Sequence, residues 1–319
     1  MYKGYLTDIE GILVGHSQDQ EGLTGCTVVI AREGAVAGVD VRGSGPGTRE
    51  TDIFDCRKTV DRVHAIVLSG GSAFGLNSAG GVMNYLEEEG VGFDVGLTKV
   101  PIVPAAVIFD LQMGDYRIRP DEKMGYEAAR SATRTENRQG NIGAGLGASV
   151  GKYLGKEKSM KSGLGSATVE LGQLKVSALV VVNAIGDIFD LEGRQIAGIY
   201  DYEKGQALSS MEVLRQGQLK NTGPTNTTIG VVATNGKLSK GQANKLAEMS
   251  HNGYARVINP IHTSLDGDTI FALSSNEVEA NIDLIGSLAT EAVSKAIINA
   301  IVNAESIDNI KAHRDLFPG

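Results

Sequence analysis

The chain of 319 residues has no tryptophan and only two cysteines, Cys26 and Cys56. Two thiols in a chain of this length cannot form a disulfide framework and fit a reducing compartment, so a cytoplasmic protein is expected. Lysine and arginine are scattered without a basic run, and the formal net charge is −8. Binding a phosphate backbone needs a basic face, so no nucleic-acid partner is expected. Apolar runs such as Val176–Ile185 are too short to cross a bilayer, and Met1–Gly11 lacks the apolar core of a signal peptide, so no membrane association is expected.

Other chemistries also lack their residues. The five histidines (His16, His64, His251, His262 and His313) fall at neither H-E-x-x-H nor H-x₃₋₅-H spacing, and the cysteines stand alone, so no metal site is expected. His251 and His262 read as helix-face and loop residues rather than as bases. Ser72 has Gly70 before it but Phe74 after it, so no G-x-S-x-G elbow exists. Gly70 and Gly75 are followed by Leu76 where a phosphate loop would have lysine, and Gly143–Ala148 matches a dinucleotide fingerprint without the preceding strand. No cofactor is expected; those glycines are read as permitting tight turns and close packing.

What is abundant is glycine, 42 residues with no period, which implies many turns and close backbone approaches. Cys26–Gly43 reads as a hairpin turning at Arg32-Glu33-Gly34, and Val63–Gly90 as strand, glycine-rich turn and helix. A helix is expected at Met124–Thr133 and a strand pair at Ser166–Asp187 turning at Gly172-Gln173. The irregular stretch Ile188–Asn226 reads as a candidate linker. A strand at Thr227–Thr234, a helix at Leu238–Ile258 capped by Ser239, a strand at Asp268–Ser275 and a long helix at Asn276–Ser306, interruptible at Gly286, complete the chain. Strands arriving in adjacent pairs argue for α+β layers.

Two stretches can carry chemistry. Asp266-Gly267-Asp268 stands at a strand entrance, where residues two apart share a face, so both carboxylates could reach one point. Asn226-Thr227 stands at the mouth of another strand, after Gly223-Pro224, a lead-in that could present the bond under strain. A threonine hydroxyl is a weak nucleophile unless a base removes its proton. If the bond before Thr227 is cut, the new α-amine, with an ordinary pKa near 7.7–8.0, can be that base. Either stretch alone reads more readily as an ordinary turn.

Six blocks in order, Arg42–Asp52, Val67–Met83, Gly140–Lys152, Lys161–Val169, Asn226–Asn235 and Asp266–Leu273, resemble the self-processing peptidases of family S58. These comprise the L-aminopeptidase/D-esterases, β-aminopeptidases and related nylon-oligomer hydrolases. The resemblance implies an αββα sandwich like that of N-terminal-nucleophile hydrolases. It also implies one domain cut into residues 1–226 and 227–319, and assembly as tetramers of such cleaved units. Thr227 then matches the nucleophile, with Thr228 its rival, and Asn183 matches the residue that helps bind the oxyanion. Asp266 and Asp268 replace the Ser and Glu of the aminopeptidase branch and look like the nylon-oligomer branch, which adds a catalytic lysine. Lys152 is the candidate, with Lys156 and Lys161 nearby. The implied substrates are 6-aminohexanoate oligomers or N-terminal aminoacyl amides. Rival readings are an acyltransferase of the ornithine acetyltransferase type and a non-enzymatic nucleotide-binding or scaffold protein.

Overall fold

Residues 1–220, 223 and 226–317 are described by the computed structural model; Pro224 of the expected lead-in lies outside them. The strands that matter here are β1 (Ile12–Asp19), β2 (Thr24–Val41), β3 (Arg62–Ser69), β4 (Ala105–Val107), β5 (Leu164–Leu171), β6 (Leu174–Asn183), β7 (Thr227–Gly236) and β8 (Thr269–Val278). The helices are α1 (Ser78–Glu88), α2 (Glu122–Arg130), α3 (Lys240–Val257) and α4 (Ile282–Val302). Strand order is β5-β6-β7-β8-β2-β3-β4 followed by the short strand Thr48–Arg49, with β1 also on β2. The β7–β8 and β3–β4 pairs are parallel.

The expected hairpin at Cys26–Gly43 is instead the one 18-residue strand β2. Its first half pairs with β1, its second half with β8, and both halves pair with β3, whose register shifts between Ile30 and Ala35. Arg32-Glu33-Gly34 is therefore a bulge, with Gly34 at φ +72°. The polar triplet looks like a reversal locally, but Val36–Val41 find their partner in β8, far along the chain.

Through β2 one layer passes into the next, and side-chain alternation shows it. Val28 and Ile30 pack with Ala79, Val82 and Leu86 of α1 and Ala128 of α2. Val29 and Ala31 face the other way, into a core shared with Ile229 and Val231 of β7 and Phe271 of β8. Val232 of β7 faces a third cluster with Leu246 and Val257 of α3 and Val293 and Ile297 of α4. The order helix, sheet, sheet, helix is the four-layer αββα arrangement.

Ile188–Asn226 is not a linker. Ile188, Ile196, Ala197 and Ile199 are buried, and the Asp187 carboxylate accepts Ile199 N–H at 3.1 Å, Ser210 N–H at 2.6 Å and the Ser210 hydroxyl at 2.7 Å. Burial nonetheless pushes that carboxyl up to about 6. The last helix starts later than expected because β8 runs on to Val278. It passes unbroken through Gly286, where an added Cβ would lie 2.3 Å from Met249 of α3. At 21 residues α4 is long and apolar enough to cross a membrane, unlike the runs weighed from sequence, but here it is a mostly buried core helix. Ser239 caps α3 in a capping box with Gln242.

Candidate active site

The β-branched run Thr227-Thr228-Ile229 opens β7, held on one side by β6 in the register Asn183 opposite Thr227. Asn226, just upstream, forms a lone parallel bridge with Asp266. Two donors meet at the Asn226 carbonyl oxygen: the Thr227 hydroxyl at 2.5 Å and Gly267 N–H at 2.9 Å. Any larger residue at 267 would push its neighbours aside, because a Cβ there would lie 2.8 Å from Thr227 Oγ1 and 2.5 Å from Gly45 O. The Arg42-Gly43-Ser44-Gly45 block, which follows β2, packs against this loop. Arg42 and Gly43 N–H donate to Asp268 O at 2.9 and 3.1 Å, and Gly45 N–H donates to Asp266 O at 2.9 Å.

Asp266 and Asp268 stand just before β8, where the Asn226–Asp266 bridge continues the β7–β8 register, and the charge of Asp268 acts on Asp266. Asp268 Oδ1 accepts Thr228 N–H at 2.7 Å. Its Oδ2 accepts from His262 Nδ1 at 2.8 Å and His262 N–H at 3.3 Å. Asp266 Oδ2 accepts the N–H and hydroxyl of Thr263 at 2.8 and 2.6 Å, while its buried Oδ1 has no partner. Burial and the charge of Asp268 push the Asp266 carboxyl up to about 6. His262 was dismissed on sequence, and neither motif nor spacing marks it.

Of the three candidate lysines, Lys152 reaches Asn183: its Nζ donates to the backbone O at 2.9 Å and to Oδ1 at 2.8 Å. Burial pulls its ammonium down to about 7, against the opposing pull of Asp266 and Asp110. Lys161 is buried too but bonds the carbonyls of Gly145, Ala148 and Ser162, and Lys156 bonds Gln112 O. Asn183 Oδ1 also accepts Ser149 N–H at 3.2 Å, and Nδ2 donates to Phe109 O at 3.0 Å. One Nδ2 hydrogen remains after that bond.

The glycine-rich loops prove to be cradles for a carboxylate of the protein itself. Asp110 accepts Gly71 N–H at 2.6 Å and the Thr24 hydroxyl at 2.7 Å. A Cβ at Gly70 or Gly147 would meet its Oδ2 at 2.0 or 2.7 Å. The turn before α1 thus binds an anion, but the anion is Asp110. A cavity of about 10 Å³ lies between Asp110, Ser149 and Lys152, and a larger one of about 660 Å³ shares Met113 and Lys156 with it. Thr227 lines neither and is 5% exposed, so the centre is closed in the intact chain. Among the described residues, no group of three or more His, Cys, Asp or Glu side chains could hold a metal ion.

The model of peptidase family S58 matches residues 4–315. The chain belongs to peptidase family S58. It is 38% identical over 342 residues to an uncharacterized aminopeptidase of Mycobacterium leprae (strain TN), covering 98% of this chain and 94% of that one. It is 32% identical over 310 residues to the 6-aminohexanoate-oligomer endohydrolase of Kocuria sp. (strain KY2), covering 92% of this chain and 84% of that one. Among solved structures, the L-aminopeptidase D-Ala-esterase/amidase of Ochrobactrum anthropi, described as a variant of the Ntn-hydrolase fold, superposes with a TM-score of 0.70 at 19% identity, covering 98% of this chain and 92% of that one. The fold is thus that of the N-terminal-nucleophile hydrolases, and the S58 chain is a hydrolase of amide or peptide bonds.

Proposed function

We propose that this S58 chain cleaves its own Asn226–Thr227 bond and then hydrolyses amides with Thr227 as an N-terminal nucleophile. The observation that carries the reading is the pair of donors on the Asn226 carbonyl, the Thr227 hydroxyl at 2.5 Å and Gly267 N–H at 2.9 Å. The hydroxyl oxygen is already beside the carbonyl it would attack. In self-cleavage, Thr227 Oγ gives its proton to a base as it adds to the Asn226 carbonyl carbon. Gly267 N–H receives the charge developing on oxygen, the kind of fixed donor that lowers such barriers most. The C–N bond then breaks, nitrogen takes up a proton, and water hydrolyses the resulting ester. Lys152 is our candidate base. As a neutral amine it spends its two N–H bonds on Asn183 and keeps a lone pair, and a pKa of about 7 makes that form accessible at neutral pH.

In the cleaved enzyme the α-amine of Thr227 takes the hydroxyl proton during attack on substrate. We assign the unpartnered Asp266 Oδ1 to hold the ammonium so formed, and Asn183, which keeps its bonds to Lys152 and Phe109, to offer its remaining Nδ2–H to the substrate oxyanion. Both carboxylates are then committed, Asp268 to three donors and Asp266 to Thr263, the amine and the charge of Lys152. Little free negative charge remains for an α-ammonium beside the scissile bond. We therefore assign as preferred substrates amides whose amine is several bonds away, as in 6-aminohexanoate oligomers, over α-aminoacyl amides. Thr227→Ala and Thr227→Ser test the reading. Alanine should abolish both self-cleavage and hydrolysis, and serine should keep part of each, because the attacking oxygen and the amine remain. An active Thr227→Ala variant beside a dead Thr228→Ala variant would move the nucleophile by one residue.

A further inference from the structure

A cluster of aromatic and imidazole rings sits behind Asp268, outside the residues given a role above. His262 contacts Asp268 Oδ2 twice, through Nδ1 at 2.8 Å and its own N–H at 3.3 Å. Its ring lies 4.9 Å edge-on from His251 and 6.0 Å from Tyr254, stacked, both on α3. His251 Nε2 in turn lies 3.1 Å from the Asp40 carbonyl. A carboxylate oxygen can only accept, so Nδ1 of His262 carries the proton and Nε2, buried and unpartnered, is the free nitrogen. The backbone at His262 is left-handed, φ +56°, a conformation that a histidine occupies at some cost and that glycine or asparagine takes more readily. The strain aims both donors of one residue at one oxygen.

The two carboxylates are thereby made unequal. Asp268 has donors on both oxygens, whereas Asp266 keeps Oδ1 bare. We infer that His262 is a positioning residue that pins the Asp268 carboxylate behind Thr227-Thr228 and so leaves Asp266 as the member of the pair that meets the Thr227 amine. The inference rests on the reading of Thr227 as the nucleophile. The titratable groups around the imidazole are Asp268 and Asp266 from its own loop and His251 and Tyr254 from α3, with Asp40 and Arg42 of β2 behind His251. The charge of Lys152 also acts on Asp266.

The test compares His262→Gly with His262→Asn. Both accept the left-handed backbone, but only asparagine restores an N–H donor toward Asp268. Loss of one donor to a buried charge should lower kcat/KM for an amide substrate by about 10- to 100-fold in the glycine variant. It should also move the acidic limb of the pH–rate profile upward, because the pair takes up its proton more readily. The asparagine variant should recover most of both. Equal behaviour of the two variants, or a glycine variant with wild-type rate and profile, would overturn the inference. Should either variant fail to fold, the ¹⁵N signals of the wild-type ring decide. Protonation at Nδ1 with a bare Nε2 supports the role, and the opposite tautomer refutes it. An active Thr227→Ala variant sinks the nucleophile reading whatever His262 does. A dead Thr227→Ala variant beside a fully active His262→Gly variant sinks this inference alone.

Discussion

Replacing Gly267 by alanine is a single-methyl perturbation of the scissile bond. Gly267 is absent from the positions of positive φ, so alanine meets no backbone penalty and the effect is one of space. The added Cβ would lie 2.8 Å from Thr227 Oγ1 and 2.5 Å from Gly45 O, where ordinary contact begins at 3.4 Å. Each must give way by more than half an ångström. Gly45 is tied to the same loop by its N–H bond to Asp266 O, so the loop itself has to retreat. Its Gly267 N–H retreats with it from the Asn226 carbonyl, and the Thr227 hydroxyl is pushed off its 2.5 Å contact. Losing one oxyanion donor costs about 10²- to 10³-fold in rate, and a misplacement near 1 Å costs about 10²-fold by itself. Self-cleavage should therefore slow by at least about 10²-fold, while overpacking costs only about 1–3 kcal/mol of stability. A denaturing-gel time course on freshly purified protein, beside a thermal melt, reads both quantities. A folded Gly267→Ala variant that matures at the wild-type rate would refute the argument that this N–H and this hydroxyl drive cleavage.

Other expectations follow from the same contacts. Self-cleavage should accelerate as pH rises through about 7, where Lys152 loses its proton; Lys152→Met should cleave slowly at every pH, and a variant that keeps the wild-type profile removes Lys152 from the mechanism. The depressed pKa of Lys152 also has a sign for stability. Between about 7 and its ordinary 10.5 the unfolded chain binds a proton that the folded chain does not, so this contribution is fully present at high pH and is lost as pH falls to about 7; a melt of Lys152→Met should show a flatter dependence there. Asn183→Ala should lower turnover by about 10²- to 10³-fold, and a change in KM alone counts against its role. A 6-aminohexanoate oligomer should have a higher kcat/KM than L-alanine p-nitroanilide, and the reverse order would overturn the assigned substrate preference.

Much of the fold was legible locally. The strand–turn–helix of Val63–Gly90, the strand pair meeting at Gly172-Gln173 and the Ser239 cap follow from short-range pattern, and each is present. The bulge in β2 was not legible, because the same triplet of polar residues serves a turn or a bulge, and a distant partner strand decides between them. Ile188–Asn226 looked like a linker because it is rich in glycine and charge, yet Ile196–Asp201 is one buried run, and Asp187, a buried charge that reads as exposed, ties Ile199 and Ser210 together. At the site, Thr227, Asn183, Lys152, Asp266 and Asp268 could be named from the family blocks, and they lie in adjoining contacts. The pairing register of β7 and β8 runs on through Asp266, which bridges Asn226, and Gly267 between the aspartates donates its N–H to the Asn226 carbonyl. Asp110 escaped notice and His262 read only as a loop residue, because a lone Asp or His in a loop carries no spacing signal. Their meaning lies in what they touch: Gly71 and Thr24 for the one, Asp268 for the other.

The central claim is that Thr227 becomes the amino terminus of a separate piece and acts as its nucleophile. Intact-mass analysis with N-terminal sequencing of the purified, active protein tests it most directly. The account predicts two associated pieces, residues 1–226 and 227–319, the smaller beginning Thr227-Thr228-Ile229-Gly230. A fully active protein that remains one uncut chain, or a small piece beginning at any other residue, would contradict it.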